Sequence, residues 1–158
     1  MFINTTESLA KIKSLLESAY VYGYKDETDN TADNQMNGDL ETISKEVNIK
    51  EIFKTVSPTQ YSILQTKSFT DFSEDDMKLF YAECYFIAAK FLNLWSLVHE
   101  SDMYKSTYDY STKIHGEEKS GRLYTAKTYT KMAYDYINSL SPEYGKEQTV
   151  RHISIARY

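Results

Sequence analysis

The chain has 158 residues, of which 41% count as hydrophobic, but 15 of that set are tyrosines. Without them roughly a third of the chain is strictly apolar, enough for one compact core, and the length fits a single domain with an arm. With 23 Asp and Glu against 18 Lys and Arg, the net charge of −5 argues against a general nucleic-acid binder but leaves room for a local basic patch. One cysteine excludes an intramolecular disulfide framework, and three histidines leave little for a metal site. Five glycines and two prolines exclude collagen-like or proline-rich disorder.

The first ten residues hold Glu7 and no Lys or Arg, so they lack the basic region of a secretory leader. Asn4 followed by Glu7 is a capping pair, and Leu9, Ile12, Leu16 and Ala19 then recur on one face, widened by Leu15 and Tyr22. This predicts a first helix that stops near Gly23. The next run, KDETDNTADNQMNGD, has one large apolar residue, Met36, and reads as a long exposed loop over residues 24–40. Two short helices are expected after it. Asn48 with Glu51 opens one carrying Ile52, Phe53 and Val56, and Ser57-Pro58 opens another through Tyr61, Ile63 and Leu64.

The centre of the chain is a helix beginning at Ser73, where a capping hydroxyl precedes Glu74, Asp75 and Asp76 at the positive helix end. Met77, Tyr81, Cys84, Ala88, Phe91, Trp95 and Val98 form an unbroken seam, and Leu79, Phe80, Ile87, Leu94 and Leu97 fill the neighbouring faces. A helix apolar nearly all round is surrounded by other elements. It is long enough to consider as a membrane span. Glu83 and Lys90 lie inside it, however, and each ionised group at membrane depth costs about 2.5–3.5 kcal/mol, so no membrane is expected. Beyond His99 the pattern thins to Met103, Tyr104, Tyr108 and Ile114, which predicts a projecting helix or a break near Ser101, with an end at His115-Gly116. A last helix fits residues 121–140, with a stripe of Leu123, Ala126, Ala133, Ile137 and Leu140, and Ser141-Pro142 stops it. The segment TVRHISIARY alternates with period two and is rich in β-branched residues, so it reads as an extended strand with no partner in its own domain, suited to a neighbour's surface. The expected fold is therefore mainly α: a helical bundle around a long central helix over residues 1–140, with an extended or β-strand C-terminal arm over 141–158.

Chemistry is sparse. Asp33, Gln35, Asn37, Gly38, Leu40 and Glu41 imitate the opening of a calcium loop, but its twelfth place, where a bidentate glutamate belongs, holds Ser44. His99, Glu100 and Asp102 do not converge from one helix, His115 stands beside a helix end, and His152 is in the tail. Cys84 sits in the apolar seam as a small hydrophobe, and no nucleophile elbow, Walker loop or dinucleotide fingerprint is present. Glu117-Glu118 reads as a solvated turn, whereas Glu83 and Lys90 read as an internal pair or as stems reaching the surface. No catalytic residue, cofactor or metal is expected. Tyrosines crowd the later helices, at Tyr104, Tyr108, Tyr110, Tyr124, Tyr129, Tyr134 and Tyr136, on more faces than one core can use, which points to protein interfaces.

This layout, with its short first helix, polar excursion, apolar helix FYAECYFIAAKFLNLWSLVHESDMY, further helix and extended tail, resembles the head-to-tail connector (adaptor or neck) proteins of tailed bacteriophages. The resemblance implies a non-enzymatic virion protein, assembled in the host cytoplasm, that forms a homo-oligomeric ring between portal and tail. Its partners would be further copies and portal, tail or neck proteins, with DNA only as passing cargo. The expected interface residues are Tyr104, Tyr108, Tyr129, Tyr136, Ile153, Ile155 and Tyr158, with residues 26–39 lining a channel. The segment KLFYAECYFIAAKFL is also similar to the central helix of HEPN domains, which implies a cytoplasmic helical binding module as the alternative. The catalytic form of that family needs an Arg followed four to six residues later by His. Arg122, Arg151 and Arg157 have none at that distance, so the alternative is a non-catalytic partner protein.

Overall fold

The computed structural model describes residues 1–19, 30–103 and 109–144, with side chains placed at 1–19, 36–95 and 121–144. Among these residues the chain is mainly helical: α1 (Thr5–Ser18), α2 (Asn30–Lys50), α3 (Pro58–Thr66), α4 (Glu74–Met103) and α5 (Asp109–Asn138), with 3-10 turns at Ile52–Lys54 and Phe69–Asp71. The C-terminal arm from residue 145 onward lies outside the described residues.

Helix starts follow the capping chemistry. Asn4 accepts a hydrogen bond from the Glu7 amide, and Ser57 accepts one from the Gln60 amide with Pro58 at the first helical position. At the start of α4 the exchange is reciprocal: the Asp76 amide donates to Ser73 Oγ at 3.2 Å, and the Ser73 amide donates to Asp76 Oδ2 at 3.0 Å.

α4 is the axle of the bundle. Leu79, Phe80, Ala82, Cys84, Tyr85, Phe86, Ile87, Ala88, Ala89, Phe91 and Leu92 are all buried, so the helix is enclosed on nearly every side. α5 runs antiparallel along it, since Lys78 meets Ser139, Tyr81 meets Tyr136 and Phe86 meets Tyr134. α2 lies antiparallel on another side, with Glu46 at Lys90 and Asn48 two hydrogen bonds from Glu83. Ile3 and Lys11 both meet α4 between Tyr81 and Tyr85, so the N-terminal segment and α1 pack on that stretch of the axle.

Several boundaries differ from the expectations. Residues 30–40 are helical, not a loop, because Met36, Leu40, Ile43, Ser44 and Val47 recur three and four apart and are all buried. Packing of that stripe supplies what the polar composition lacks in propensity. Asn48 consequently lies inside α2 rather than capping a new helix. α1 ends at Ser18, before Gly23, whereas α4 ends at Met103, close to the break expected near Ser101. α5 passes without interruption through His115-Gly116 and Gly121. An isolated helical glycine costs only about 1 kcal/mol relative to alanine, so two of them in thirty residues do not end a helix.

Candidate functional site: two polar locks and a charged groove

The most unusual residue of the core is Glu83, fully buried on α4. One carboxylate oxygen accepts the Ile3 amide at 3.0 Å, and the other accepts a hydrogen bond from the Tyr61 hydroxyl of α3. Asn48 of α2 donates to Tyr61 Oη at 3.0 Å and to the Met1 carbonyl at 3.1 Å, and Gln65 of α3 donates to the Phe2 carbonyl at 3.1 Å. The Met1 amino group donates to Ser44 Oγ at 3.1 Å. Three helices therefore grip the extended segment 1–3 by its backbone, while Phe2 and Ile3 are themselves buried. Burial pushes the Glu83 carboxyl up to about 7, with the hydrogen bonds from Tyr61 and Ile3 opposing that rise. The Tyr61 phenol is raised by its own burial and by the neighbouring Glu83 carboxylate. The raised phenol keeps its proton and donates it to the carboxyl; neither group lines the groove between α2, α4 and α5, and their geometry is that of a lock.

A second lock joins the start of α4 to the end of α5. Asp76, almost fully buried, accepts from Lys67 Nζ at 2.7 Å and from the Tyr144 hydroxyl at 2.8 Å besides its capping bond. Asp75 accepts from the Ser141 amide at 3.3 Å, and Lys78 donates to the Ser139 carbonyl at 3.2 Å. Burial works against the Asp76 carboxylate, yet the hydrogen bonds from Lys67, Ser73 and Tyr144 hold it below the usual aspartate range. Residues 141–144, which the pattern assigns to the arm, are thus docked on the body.

Between the locks lies an aromatic layer. Tyr136 stacks on Tyr81 and Tyr85, with centroids 5.5 and 5.9 Å apart, and Tyr129 meets Tyr85 edge-on at 5.3 Å. Lys11 of α1 lies 5.5 Å from the Tyr81 centroid, and the Tyr129 hydroxyl donates to the Leu15 carbonyl at 2.9 Å. Of the expected interface residues, Tyr129 is buried and Tyr136 half-buried, both engaged inside their own chain. Tyr104, Tyr108, Ile153, Ile155 and Tyr158 lie outside the described residues.

On the surface, α2, α4 and α5 border an open groove of about 180 Å³. Val47, Phe86 and Ala89 give it an apolar floor, and Glu46, Lys50, Glu51, Lys90, Asn93, Thr130 and Tyr134 form the walls. Lys90 does not pair with Glu83; it shares Glu46 with Lys50, at 3.4 and 2.6 Å. Those two ammonium groups hold the Glu46 carboxyl below its ordinary range. The groove has the size of one large side chain and charges of both signs. No group of three or more His, Cys, Asp or Glu side chains that could hold a metal ion occurs among the described residues. The residues that imitate a calcium loop lie on helical backbone, which cannot wrap an ion as that loop does. Cys84 is buried, and burial, with the nearby Glu83 charge, pushes its thiol well up, away from nucleophilic use.

The chain matches no protein-family model, and neither curated proteins nor solved structures give a match. Pattern reading missed Asn48, Tyr61 and Gln65 as gripping residues, because what they hold is backbone, which carries no side-chain signature. It also read Asp76 as a helix-end charge alone. The acidic capping run marks its position, but its bonds to Lys67 and Tyr144 depend on the tertiary fold.

Proposed function

We propose that the chain is a non-enzymatic structural subunit of a phage virion, an adaptor that forms a homo-oligomeric ring between portal and tail. Its role is positional. The enclosed helix α4 gives each copy a stiff frame, and the segment beyond Tyr144 serves as an extended arm that lies on a neighbouring copy or on the portal. DNA passes as cargo without being read. The observation that carries this reading is the second lock: Asp75, Asp76 and Lys78 fasten residues 139–144 to the start of α4, so the arm departs from a fixed point on the body. A fixed departure point supports a segment that must reach a defined site on a neighbour.

The test is removal of residues 145–158. Under this reading the shortened chain folds with unchanged helicity but no longer joins connector assemblies when co-expressed with portal and tail proteins. Undiminished incorporation of the shortened chain would contradict it. A second reading, a cytoplasmic helical binding module, is favoured by the groove between α2, α4 and α5, whose size and mixed charge suit one side chain of a partner. That reading requires the shortened chain to keep all of its binding, and substitutions in the groove wall to abolish it.

A further inference from the structure

Charge is unevenly divided along this chain. Residues 119–134, KSGRLYTAKTYTKMAY, contain Lys119, Arg122, Lys127 and Lys131 and no carboxylate. That window carries +4 in a chain of −5, which leaves the remaining residues at −9. α5 sorts the window by face. Ala126, Tyr129 and Ala133 are buried, whereas Tyr124, Lys127, Thr128, Lys131 and Tyr134 recur along the outer side and are exposed. Tyr124 is 74% exposed and Tyr134 42%, large values for aromatic rings on a helix. No ion pair among the described residues engages Lys127 or Lys131.

The opposite sign gathers at the other end of the α4–α5 pair. Asp71, Glu74 and Asp75 stand at the start of α4, and the lock through Asp75 and Asp76 brings the turn carrying Glu143 beside them. Lys67 and Lys78 offset only part of this charge. From Lys131 to the end of α5 at Asn138 is about 10 Å of helix, so the two lysines stand apart from the acidic end of the subunit, with the exposed Asp135 between them. Two different, complementary patches on one molecule are what a head-to-tail contact requires, and such contacts close into rings when the rotation allows.

We infer that the outer face of α5, Tyr124, Lys127, Lys131 and Tyr134, docks on the acidic start of α4 of the next copy. This rests on the structural reading above and supplies the subunit contact that it lacks. Tyrosine provides the desolvated area and lysine the steering and register, so the contact weakens with salt.

The experiment is sedimentation velocity on the purified full chain at low and high ionic strength. Each variant is also checked for helicity by circular dichroism. Self-association should weaken about tenfold or more in the double variant Lys127→Glu/Lys131→Glu, and similarly in Asp71→Lys/Glu143→Lys. Mixing the two variants should restore association, because each then offers the patch that the other has lost. Association that neither variant alters, or no self-association at any ionic strength, would overturn this contact. The ring reading would survive either result, since it is tested by incorporation into connector assemblies. Binding of labelled duplex DNA by the unaltered chain, lost in the lysine variant and without self-association, would also overturn it and assign the face to nucleic acid.

Discussion

Glu83 and Asp76 lie seven residues apart on the same helix, and each fastens a distant segment to it, yet their carboxyls move in opposite directions. Glu83 grips residues 1–3 from a fully enclosed position, has no lysine or arginine beside it, and rises to about 7. Asp76 grips the turn after α5, accepts from Lys67, Ser73 and Tyr144, and falls below its ordinary range. Burial disfavours the charged form in both. Two things differ: Glu83 is the more deeply enclosed, and only Asp76 has a cation bonded to it. Where Lys67 donates to the carboxylate, pairing outweighs desolvation; where an amide and a phenol donate and the Met1 ammonium acts only through its field, desolvation wins. One lock is built to tolerate a neutral carboxyl, the other to hold a charged one.

This contrast breaks down most sharply on removal of the Glu83 side chain. Glu83→Ala leaves the Ile3 N–H and the Tyr61 O–H without an acceptor in a fully buried cavity, and should lower unfolding stability by roughly 3–5 kcal/mol in guanidinium titrations. A loss below about 1 kcal/mol would mean that segment 1–3 is not held there. Next comes the pH dependence. Because the folded Glu83 carboxyl titrates above its unfolded value, the folded state binds the extra proton between the two. Its contribution therefore falls as pH rises from about 4.3 to about 7, by on the order of 3 kcal/mol. Glu83→Gln keeps the shape and a neutral hydrogen-bonding group, and should flatten that limb of the stability profile. A profile unchanged by Glu83→Gln would remove the assignment.

Asp76 has the opposite sign. Its depressed carboxyl adds stability that is complete above the unfolded value near 3.9 and is lost as pH falls through the folded one. Asp76→Ala should cost about 2–3 kcal/mol at neutral pH, through the cap and the Lys67 bond together, and should weaken the acid limb of the profile. The smallest effect is expected for Tyr144→Phe, which removes one hydrogen bond to Asp76 and leaves the ring: about 0.5–1.5 kcal/mol, with amide exchange quickened at residues 139–144. Equal loss of protection at residues 1–3 would show that the two locks are one.

The helix starts at Asn4, Ser57 and Ser73 are legible because capping is local: the hydroxyl or amide and the N–H that it serves stand three residues apart. The enclosure of α4 is legible for a similar reason, since an all-round apolar face has one physical outcome. α2 is not, because its buried stripe is diluted by Asn, Asp and Thr, and the surface that covers Met36 and Leu40 belongs to the tertiary fold. The continuity of α5 is hidden by Gly116 and Gly121, which read as stops when each is taken alone. Glu83 is conspicuous as a carboxylate in an apolar run. Its partner is a backbone amide eighty residues away, however, and Lys90, the partner suggested by its position on the helix, turns outward to Glu46. The tyrosines divide as a helix face dictates: Tyr129 and Tyr136 go to the core, and Tyr124 and Tyr134 are left outside.

The structural reading is tested most directly by imaging the protein purified from its native source, without overexpression, by cryo-electron microscopy. Rotationally symmetric copies, with the segment beyond Tyr144 of each lying on its neighbour or on a portal, are the predicted result. A monomer or dimer bound to an unrelated cytoplasmic protein would contradict it.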